Sequence, residues 1–317
     1  MLSAFALWAL SLGYYAPAEH WLYDLLRAKQ AIAERTKSPR ILIISGSNAL
    51  FGISSTEFSA IVGLPVVNLA SHAGLPLSFH ADVAIANARA GDVVVMPLEY
   101  AYYSATESPS EWQLRNLETW GRAFLFRHPR TALLFFRATS PYAVIERLYW
   151  RKSIPSDGDE AITSVLSSTM NKPFNKYSYK SINSHGDIVG AIGSLYQDNV
   201  AYTEGNVTEY SLSEISALKK QLEGRGAHIF LTWPVSIQNP LFDLSRGHDR
   251  AIVAKIQNRL LDMGLKINCA IDAFNYPRAL FFDTKYHLNA AGSSRRSSDL
   301  AKCVTESGIL KGNSVKR

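Results

Sequence analysis

Three side chains near opposite ends of the sequence have the types needed for acyl transfer. Ser47 lies beside Gly46 directly after an apolar run, and Asp283 and His287 lie four residues apart near the other end. A serine hydroxyl becomes an effective nucleophile when a histidine accepts its proton, and a carboxylate beside that histidine stabilises the imidazolium that forms. Taken singly, each residue is more simply a turn or surface residue. Together they predict a serine-based catalytic site, provided that the fold joins the two ends of the chain.

The pattern between these residues indicates how the fold could join them. Short apolar runs at 41–44, 65–69 and 92–96 each lead into a loop, and the segments 55–62 and 77–89 between them have the composition of helices. Strands that alternate with helices at this spacing form parallel sheets, and ligands bind beyond the carboxyl ends of such strands. We therefore expect an α/β fold with three α/β/α layers, a doubly wound, mostly parallel sheet of the flavodoxin-like kind, and Ser47 on its rim.

The middle of the chain interrupts this pattern. Residues 111–152 are rich in aromatic side chains without strand alternation, which predicts helices packed beside the sheet. The following residues, to 209, are rich in Ser, Asn, Gly and Tyr, which is typical of long loops. Residues 104–210 are therefore predicted to be a helical and loop insertion, after which strands near 227–231 and 265–272 and a helix capped by Asn289 complete the domain.

The sequences around the three residues resemble two blocks of a known family. The run Ile41 to Ile53, with Gly46-Ser47-Asn48 and Phe51-Gly52-Ile53, and the run Asp283 to Gly292 are similar to the first and last blocks of SGNH (GDSL-like) hydrolases. The resemblance covers residues 40–100 and 227–303, and is greatest to a branch that includes membrane-associated enzymes adding O-acetyl groups to polysaccharides. It implies Ser47 as nucleophile, His287 as general base and Asp283 as the orienting acid, with Asp-x-x-x-His here one residue longer than the family's Asp-x-x-His.

The same resemblance implies donors for the oxyanion of the reaction. The family uses the serine's own N–H, a glycine of the second block and an asparagine of the third, and such donors stabilise the charge that develops on the carbonyl oxygen. The run from Asn68 to Gly74 resembles the second block, so Gly74 is the candidate there. The third block differs, because Pro97-Leu98-Glu99-Tyr100 stands where the family has Gly-x-Asn. Asn48 is the candidate for the missing donor.

Polar and aromatic residues that follow predicted strands are candidates for substrate binding. Glu99 and Tyr100 follow the third strand and Trp233 follows the fourth. Aromatic faces with polar neighbours are suited to holding a sugar. We therefore expect these three residues to contact substrate, and Tyr100, Tyr102, Tyr103 and Trp233 to line an open groove beside Ser47. Ordinary packing of the aromatic rings is the alternative.

The first 18 residues contain no charged side chain. We expect residues 1–38 to be an apolar segment resembling a membrane anchor, with a linker, that holds the protein at a membrane facing the periplasm or cell exterior. A cleaved signal peptide ending near Ala16-Pro17-Ala18 and a helix buried in the globule remain open. The catalytic domain is predicted to span 39–303, followed by a basic tail over 304–317.

The composition and the motifs bear on nucleic-acid, metal and cofactor binding. The net charge is +6, and the last 23 residues carry six Lys or Arg against two acidic residues, so most of it lies at the end of the chain. Nucleic-acid binding is therefore not expected. We find no metal-ligand spacing and no phosphate-binding loop, and predict neither a metal nor a cofactor. Cys269 and Cys303 could form a disulfide in an exported protein or remain two buried thiols in a cytosolic one.

The function implied by the resemblance is O-acetylation of a cell-surface or secreted polysaccharide through an acyl-Ser47 intermediate. The expected partners are a carbohydrate or acyl-ester substrate and a membrane-bound protein that delivers the acyl group. A carbohydrate or lipid esterase and a non-catalytic polysaccharide-binding subunit are the two alternatives.

Overall fold

The computed structural model describes residues 2–14, 16–167 and 173–310. Five strands form one parallel sheet in the order β2-β1-β3-β4-β6, and two more form a small parallel sheet beside it. In chain order the strands are β1 Ile41–Ile43, β2 Val66–Asn68, β3 Val93–Pro97, β4 His228–Thr232, β5 Ser236–Gln238, β6 Ile267–Asn268 and β7 Asn275–Pro277.

Fourteen α-helices accompany these strands within the described residues. They are α1 Leu2–Ser11, α2 His20–Arg35, α3 Ser47–Leu50, α4 Ser55–Val62, α5 Leu77–Asn87, α6 Tyr100–Tyr103, α7 Glu111–Leu117, α8 Arg122–Arg127, α9 Pro129–Ala138, α10 Pro141–Trp150, α11 Asp159–Leu166, α12 Glu209–Gly224, α13 Gly247–Leu261 and α14 Ala290–Glu306.

Helices cover the main sheet on both sides. The residues of β1, β2 and β3 are all buried, as expected of apolar strands in a parallel sheet. Helix α4 packs against α14, and α5 packs against α12. The predicted three-layer α/β/α fold is therefore confirmed.

Two helices begin where the sequence predicted, but only one of them has a side-chain hydrogen bond that caps its first turn. Helix α14 begins after Asn289, whose side chain accepts a hydrogen bond from the Gly292 N–H at 3.0 Å, as predicted. Helix α4 also begins where expected, but Ser54 makes no capping hydrogen bond there. Glu57 accepts a hydrogen bond from the Ser294 hydroxyl at 2.7 Å, which joins α4 to α14.

The aromatic stretch 111–152 forms helices α7 to α10, as predicted. The region after it, which was predicted to be loops, also contains helix α11. Within the N-terminal 38 residues, the part predicted to be a linker contains helix α2, which is packed into the domain. Helix α2 packs against β2, α5 and α11, because apolar residues recur along it at helical spacing. Its buried apolar residues are Leu22, Leu25, Ala28, Ile32 and Ala33.

Lys29 extends from the buried face of α2 to the end of β2. Its ammonium donates to the carbonyl oxygens of Asn68 at 2.8 Å and Ala70 at 2.6 Å. The loop that leaves β2 is thus held by a residue from the segment predicted to be a linker. Within the described part of the chain, no helix has the length and apolar character needed to cross a membrane.

Cys269, just after β6, and Cys303 of α14 are joined in a disulfide, with 2.07 Å between the sulfur atoms and 5.8 Å between the Cα atoms. The sequence allowed either a disulfide or two buried thiols, and the structure contains the disulfide. Most of the predicted basic tail, residues 311–317, lies outside the described residues.

Candidate active site

The loops that follow β1, β2 and β3 meet at the carboxyl edge of the sheet. The Ser71 N–H donates to the Ser45 carbonyl at 3.0 Å, and the Ser45 hydroxyl donates to the Pro97 carbonyl at 2.7 Å. Ser47 is the first residue of α3, directly after the first of these loops. This edge is where a parallel sheet of this kind binds its ligands.

Gly46 is surrounded so closely that no side chain would fit at its position. A Cβ atom there would lie 2.4 Å from Oε1 of Glu99 and 2.6 Å from Cα of Ala73. The three loops therefore approach one another most closely beside the candidate nucleophile, and glycine is required for that approach.

Glu99 supports the loop that carries Ser47. Its buried carboxylate accepts hydrogen bonds from the N–H groups of Gly46 at 3.2 Å and Asn48 at 3.0 Å, and from the Ser45 hydroxyl at 3.0 Å. Charged acceptors form strong hydrogen bonds with free N–H groups at the start of a helix. Glu99 was expected to contact substrate, but only 1% of its surface is exposed, and its carboxylate accepts hydrogen bonds from the loop that carries Ser47.

Asp283 and His287 form the pair that the sequence predicted. Nδ1 of His287 lies 2.8 Å from Oδ1 of Asp283, and the hydroxyl of Tyr177 donates to Oδ2 of Asp283 at 2.6 Å. Partial burial tends to raise the pKa of Asp283, but the hydrogen bonds from His287 and Tyr177 outweigh it and keep that pKa below its ordinary value. An ionised Asp283 favours the proton on Nδ1, which leaves Nε2 of His287 free to act as a base.

Phe51 connects this pair to Ser47. The Phe51 N–H donates to the Ser47 carbonyl at 3.1 Å, and the Phe51 ring stacks on the imidazole of His287. His287 therefore lies against the helical turn that begins at Ser47. Within the described residues, no hydrogen bond joins the Ser47 hydroxyl to His287, and catalytic hydrogen bonds are often long in unliganded enzymes.

Asn48 differs from its expected role as an oxyanion donor. Its amide nitrogen donates to the Ser45 hydroxyl at 2.9 Å and the Pro97 carbonyl at 2.8 Å, which occupies both N–H bonds. Its carbonyl groups accept from the buried guanidinium of Arg296, at 2.7 Å in each case. Burial lowers the pKa of Arg296 to about 10, so this guanidinium remains charged at neutral pH. Asn48 therefore links loops inside the domain, and its side chain is closed to substrate.

Gly74 lies on the rim, but its N–H is also engaged. It donates to Nδ1 of His72 at 2.9 Å, and the His72 ring stacks on Trp112 with 4.4 Å between the centroids. Burial lowers the pKa of His72, and the nearby Glu19 opposes this effect in part. The expected donor at Gly74 is therefore held by a neutral imidazole, which brings His72 into the site.

Tyr100 and Trp233 are buried in the core and do not line an open groove. At most 1% of either side chain is exposed, and their ring centroids lie 6.3 Å apart. Phe242 and Tyr202 pack against Tyr100. The expectation of a sugar-binding groove at these residues is thus replaced by ordinary aromatic packing, because the segment after β4 folds over the rings.

Two residues of this site were not predicted from the sequence. Phe51 lies within the run from Ile41 to Ile53 that resembles SGNH hydrolases, but only the fold shows that its ring faces His287. Tyr177 comes from the loop region that lacks periodicity, so no sequence signal pointed to it. Within the described residues, no cluster of three or more His, Cys, Asp or Glu is arranged to hold a metal ion.

Comparison with known proteins finds no family model that matches this sequence and no similar curated protein.

Proposed function

We propose that this protein transfers an acyl group from an ester through an acyl-Ser47 intermediate, in the manner of SGNH-type enzymes. The observation that carries the proposal is the 2.8 Å contact between Nδ1 of His287 and Asp283, on a ring that Phe51 holds against the turn starting at Ser47. A base oriented by a carboxylate and packed beside a serine is the arrangement that activates a hydroxyl for acyl transfer.

In the proposed reaction, Nε2 of His287 takes the proton from the Ser47 hydroxyl as its oxygen attacks the carbonyl carbon of the ester. The carbonyl becomes an oxyanion, and Asp283 stabilises the imidazolium. The ester bond then breaks, and His287 returns the proton to the departing alcohol. An acceptor hydroxyl attacks the acyl-serine in a second round of the same proton transfers, which regenerates Ser47.

The Ser47 N–H is the donor we assign to the oxyanion. Unlike the neighbouring N–H groups of Gly46 and Asn48, which donate to Glu99, it has no protein acceptor within the described residues. The occupied donors at Asn48 and Gly74 favour a second candidate, a polysaccharide-binding subunit without catalysis. Only the first candidate predicts acylation of Ser47, so this reaction distinguishes the two.

The decisive experiment is intact-protein mass spectrometry after incubation with an activated acetyl ester. We expect one acetyl group, mapped by peptide analysis to Ser47 and absent from Ser47→Ala. The control is Ser245→Ala, which removes the hydroxyl of an exposed serine away from the rim and should acylate normally. Acylation that persists in Ser47→Ala would refute the nucleophile. A folded wild-type protein that binds polysaccharide but never acquires acetyl would favour the binding subunit.

The resemblance leads us to propose a carbohydrate hydroxyl as acceptor, with a membrane-bound protein as donor of the acyl group. Acetyl ester supplied with and without oligosaccharide tests this acceptor. Acetylated sugar that accumulates faster than free acetate supports transfer, whereas acetate release unchanged by sugar supports an esterase. The Cys269–Cys303 disulfide supports an oxidising, extracytoplasmic compartment for this reaction.

A further inference from the structure

Two helices that are far apart in the sequence expose a set of large apolar side chains. Helices α1 and α10 pack against each other, and the outward residues of both are more than half exposed. Large apolar side chains exposed together on neighbouring helices are typical of an interaction site. These residues, called here the α1–α10 face, are Leu2, Leu7, Leu10, Tyr142, Ile145, Tyr149 and Trp150.

The inner sides of the two helices meet at one buried carboxylate, which places their outer sides on the same side of the protein. The indole N–H of Trp8 in α1 donates to Oε1 of Glu118 at 2.6 Å. The guanidinium of Arg147 in α10 donates to Oε2 of the same residue, also at 2.6 Å. The α1–α10 face is thus one surface, fixed from beneath by Glu118.

The surroundings of this face are basic. Residues 122–152 contain seven Lys or Arg and a single acidic residue, Glu146. Three of these cations pair with carboxylates from outside the range: Arg127 with Asp82, Arg130 with Glu107 and Arg147 with Glu118. The four that have no carboxylate partner within the described residues are Arg122, Arg137, Arg151 and Lys152. Lys152 lies over the ring of Trp150 at 5.2 Å, and Arg122, which borders Gly13 at the end of α1, lies over Phe126 at the same distance. Arg151 is exposed directly after α10. Helix α1 itself has no charged side chain.

This composition matches the interface of an anionic bilayer. Tyrosine and tryptophan favour the boundary between lipid and water, and Lys or Arg beside an apolar surface binds anionic headgroups. A second copy of the chain fits less well, because a symmetric pairing would bring the same cations together.

We propose that the α1–α10 face binds the surface of a membrane rich in anionic lipid. This inference does not depend on the chemistry at Ser47. It assigns membrane contact to α10 as well as to the apolar N-terminal segment.

Vesicle flotation tests the proposal with the full chain. Wild-type protein should float with vesicles of phosphatidylcholine and phosphatidylglycerol, and less with phosphatidylcholine alone. Ile145→Ser combined with Tyr149→Ser should weaken binding about tenfold or more, because two exposed side chains lose their burial in lipid. The control, Leu241→Ser combined with Leu261→Ser, changes two similarly exposed apolar residues elsewhere and should bind as wild type.

A second variant separates the charge from the apolar contact. Arg151→Ser with Lys152→Ser should remove the preference for phosphatidylglycerol and leave residual binding to neutral vesicles. Thermal unfolding confirms that each variant is folded. Wild-type protein that binds neither vesicle, or binding unaffected by the α10 variant, overturns the proposal. Self-association that the α10 variant abolishes, without vesicle binding, would assign the face to a second copy and overturn it also.

Discussion

The ring of Phe51 lies flat on the imidazole of His287, with 4.0 Å between the centroids and 8° between the planes. The same phenylalanine hydrogen-bonds through its backbone to Ser47. Asp283 holds one edge of the imidazole, and Phe51 covers its face. The orientation of the candidate base therefore depends on a residue in the same helical turn as the candidate nucleophile.

Replacing Phe51 by leucine should lower acetyl-ester turnover more than it lowers stability. Leucine preserves most of the apolar volume but removes the flat surface that orients His287. We expect a fall in kcat of about tenfold, since misplacement of a catalytic group by a fraction of an ångström is costly. Turnover and urea unfolding are measured together.

The matched control for this variant is Phe58→Leu, a fully buried phenylalanine of α4. It should lose comparable stability while turnover stays near that of wild type. Equal losses of turnover in the two variants would show that Phe51 matters only as core packing.

Asp283→Asn should reduce kcat by about 10³-fold to 10⁴-fold, because an amide cannot stabilise the imidazolium and favours the wrong tautomer of His287. The control is Thr284→Ala, which changes the residue at the family's usual position for the acid. Thr284 accepts weak hydrogen bonds from the backbone of Tyr286 and His287, so its loss should have a much smaller effect. A larger loss for Thr284→Ala would reassign the carboxylate's role.

Gly46→Ala should destabilise the fold by about 1 to 3 kcal/mol and abolish acylation of Ser47, because its Cβ would overlap Glu99 and Ala73. Gly224→Ala is the comparison, since a Cβ at that helical position meets no atom within 4 Å. It should be neutral or slightly stabilising. A Gly46→Ala variant that acylates as well as wild type would show that the close approach of the three loops is not needed for acylation of Ser47.

Lys29 should make stability depend on pH in the weakly alkaline range. Burial, opposed in part by Asp187, lowers the pKa of Lys29 to about 7 in the folded protein. Between that pH and the ordinary lysine pKa of about 10.4, the unfolded chain binds a proton that the folded chain lacks, so stability rises with pH, by up to about 1.4 kcal/mol per unit.

Urea unfolding at about pH 7 and about pH 9 measures this slope. Lys29→Met should remove the contribution, whereas Lys220→Met, an exposed lysine of α12, should keep it. Identical slopes for wild type and Lys29→Met would contradict the assignment.

The strands were predictable because apolar, β-branched runs report burial directly, and the order of strands and helices then determines which loops share an edge. The position of Ser47 after β1 could be predicted in this way, and the spacing of Asp283 and His287 indicated their contact. Glu99 could not, because its role depends on the N–H groups of Gly46 and Asn48, which only the folded loop directs at one carboxylate.

Tyr177 and helix α2 were missed for different physical reasons. Tyr177 reaches Asp283 from a loop, and tertiary contacts alone determine its position. Helix α2 contains charged residues between its apolar ones, and the apolar segment before it favoured the interpretation as a linker. Lysines usually face water, and the buried Lys29 of this helix is an exception. The sequence pattern therefore indicated a less buried helix than the structure contains.

The burial of α2 has a consequence for truncating this chain. A chain beginning at residue 39 would leave the carbonyls of Asn68 and Ala70 without their donor and would expose the apolar surface beneath Leu22 and Leu25. Unpaired buried carbonyls and exposed apolar surface each cost on the order of kcal/mol. The smallest fragment that folds by itself should therefore begin before His20, and the loop facing Ser47 depends on a helix that supplies none of the reacting groups.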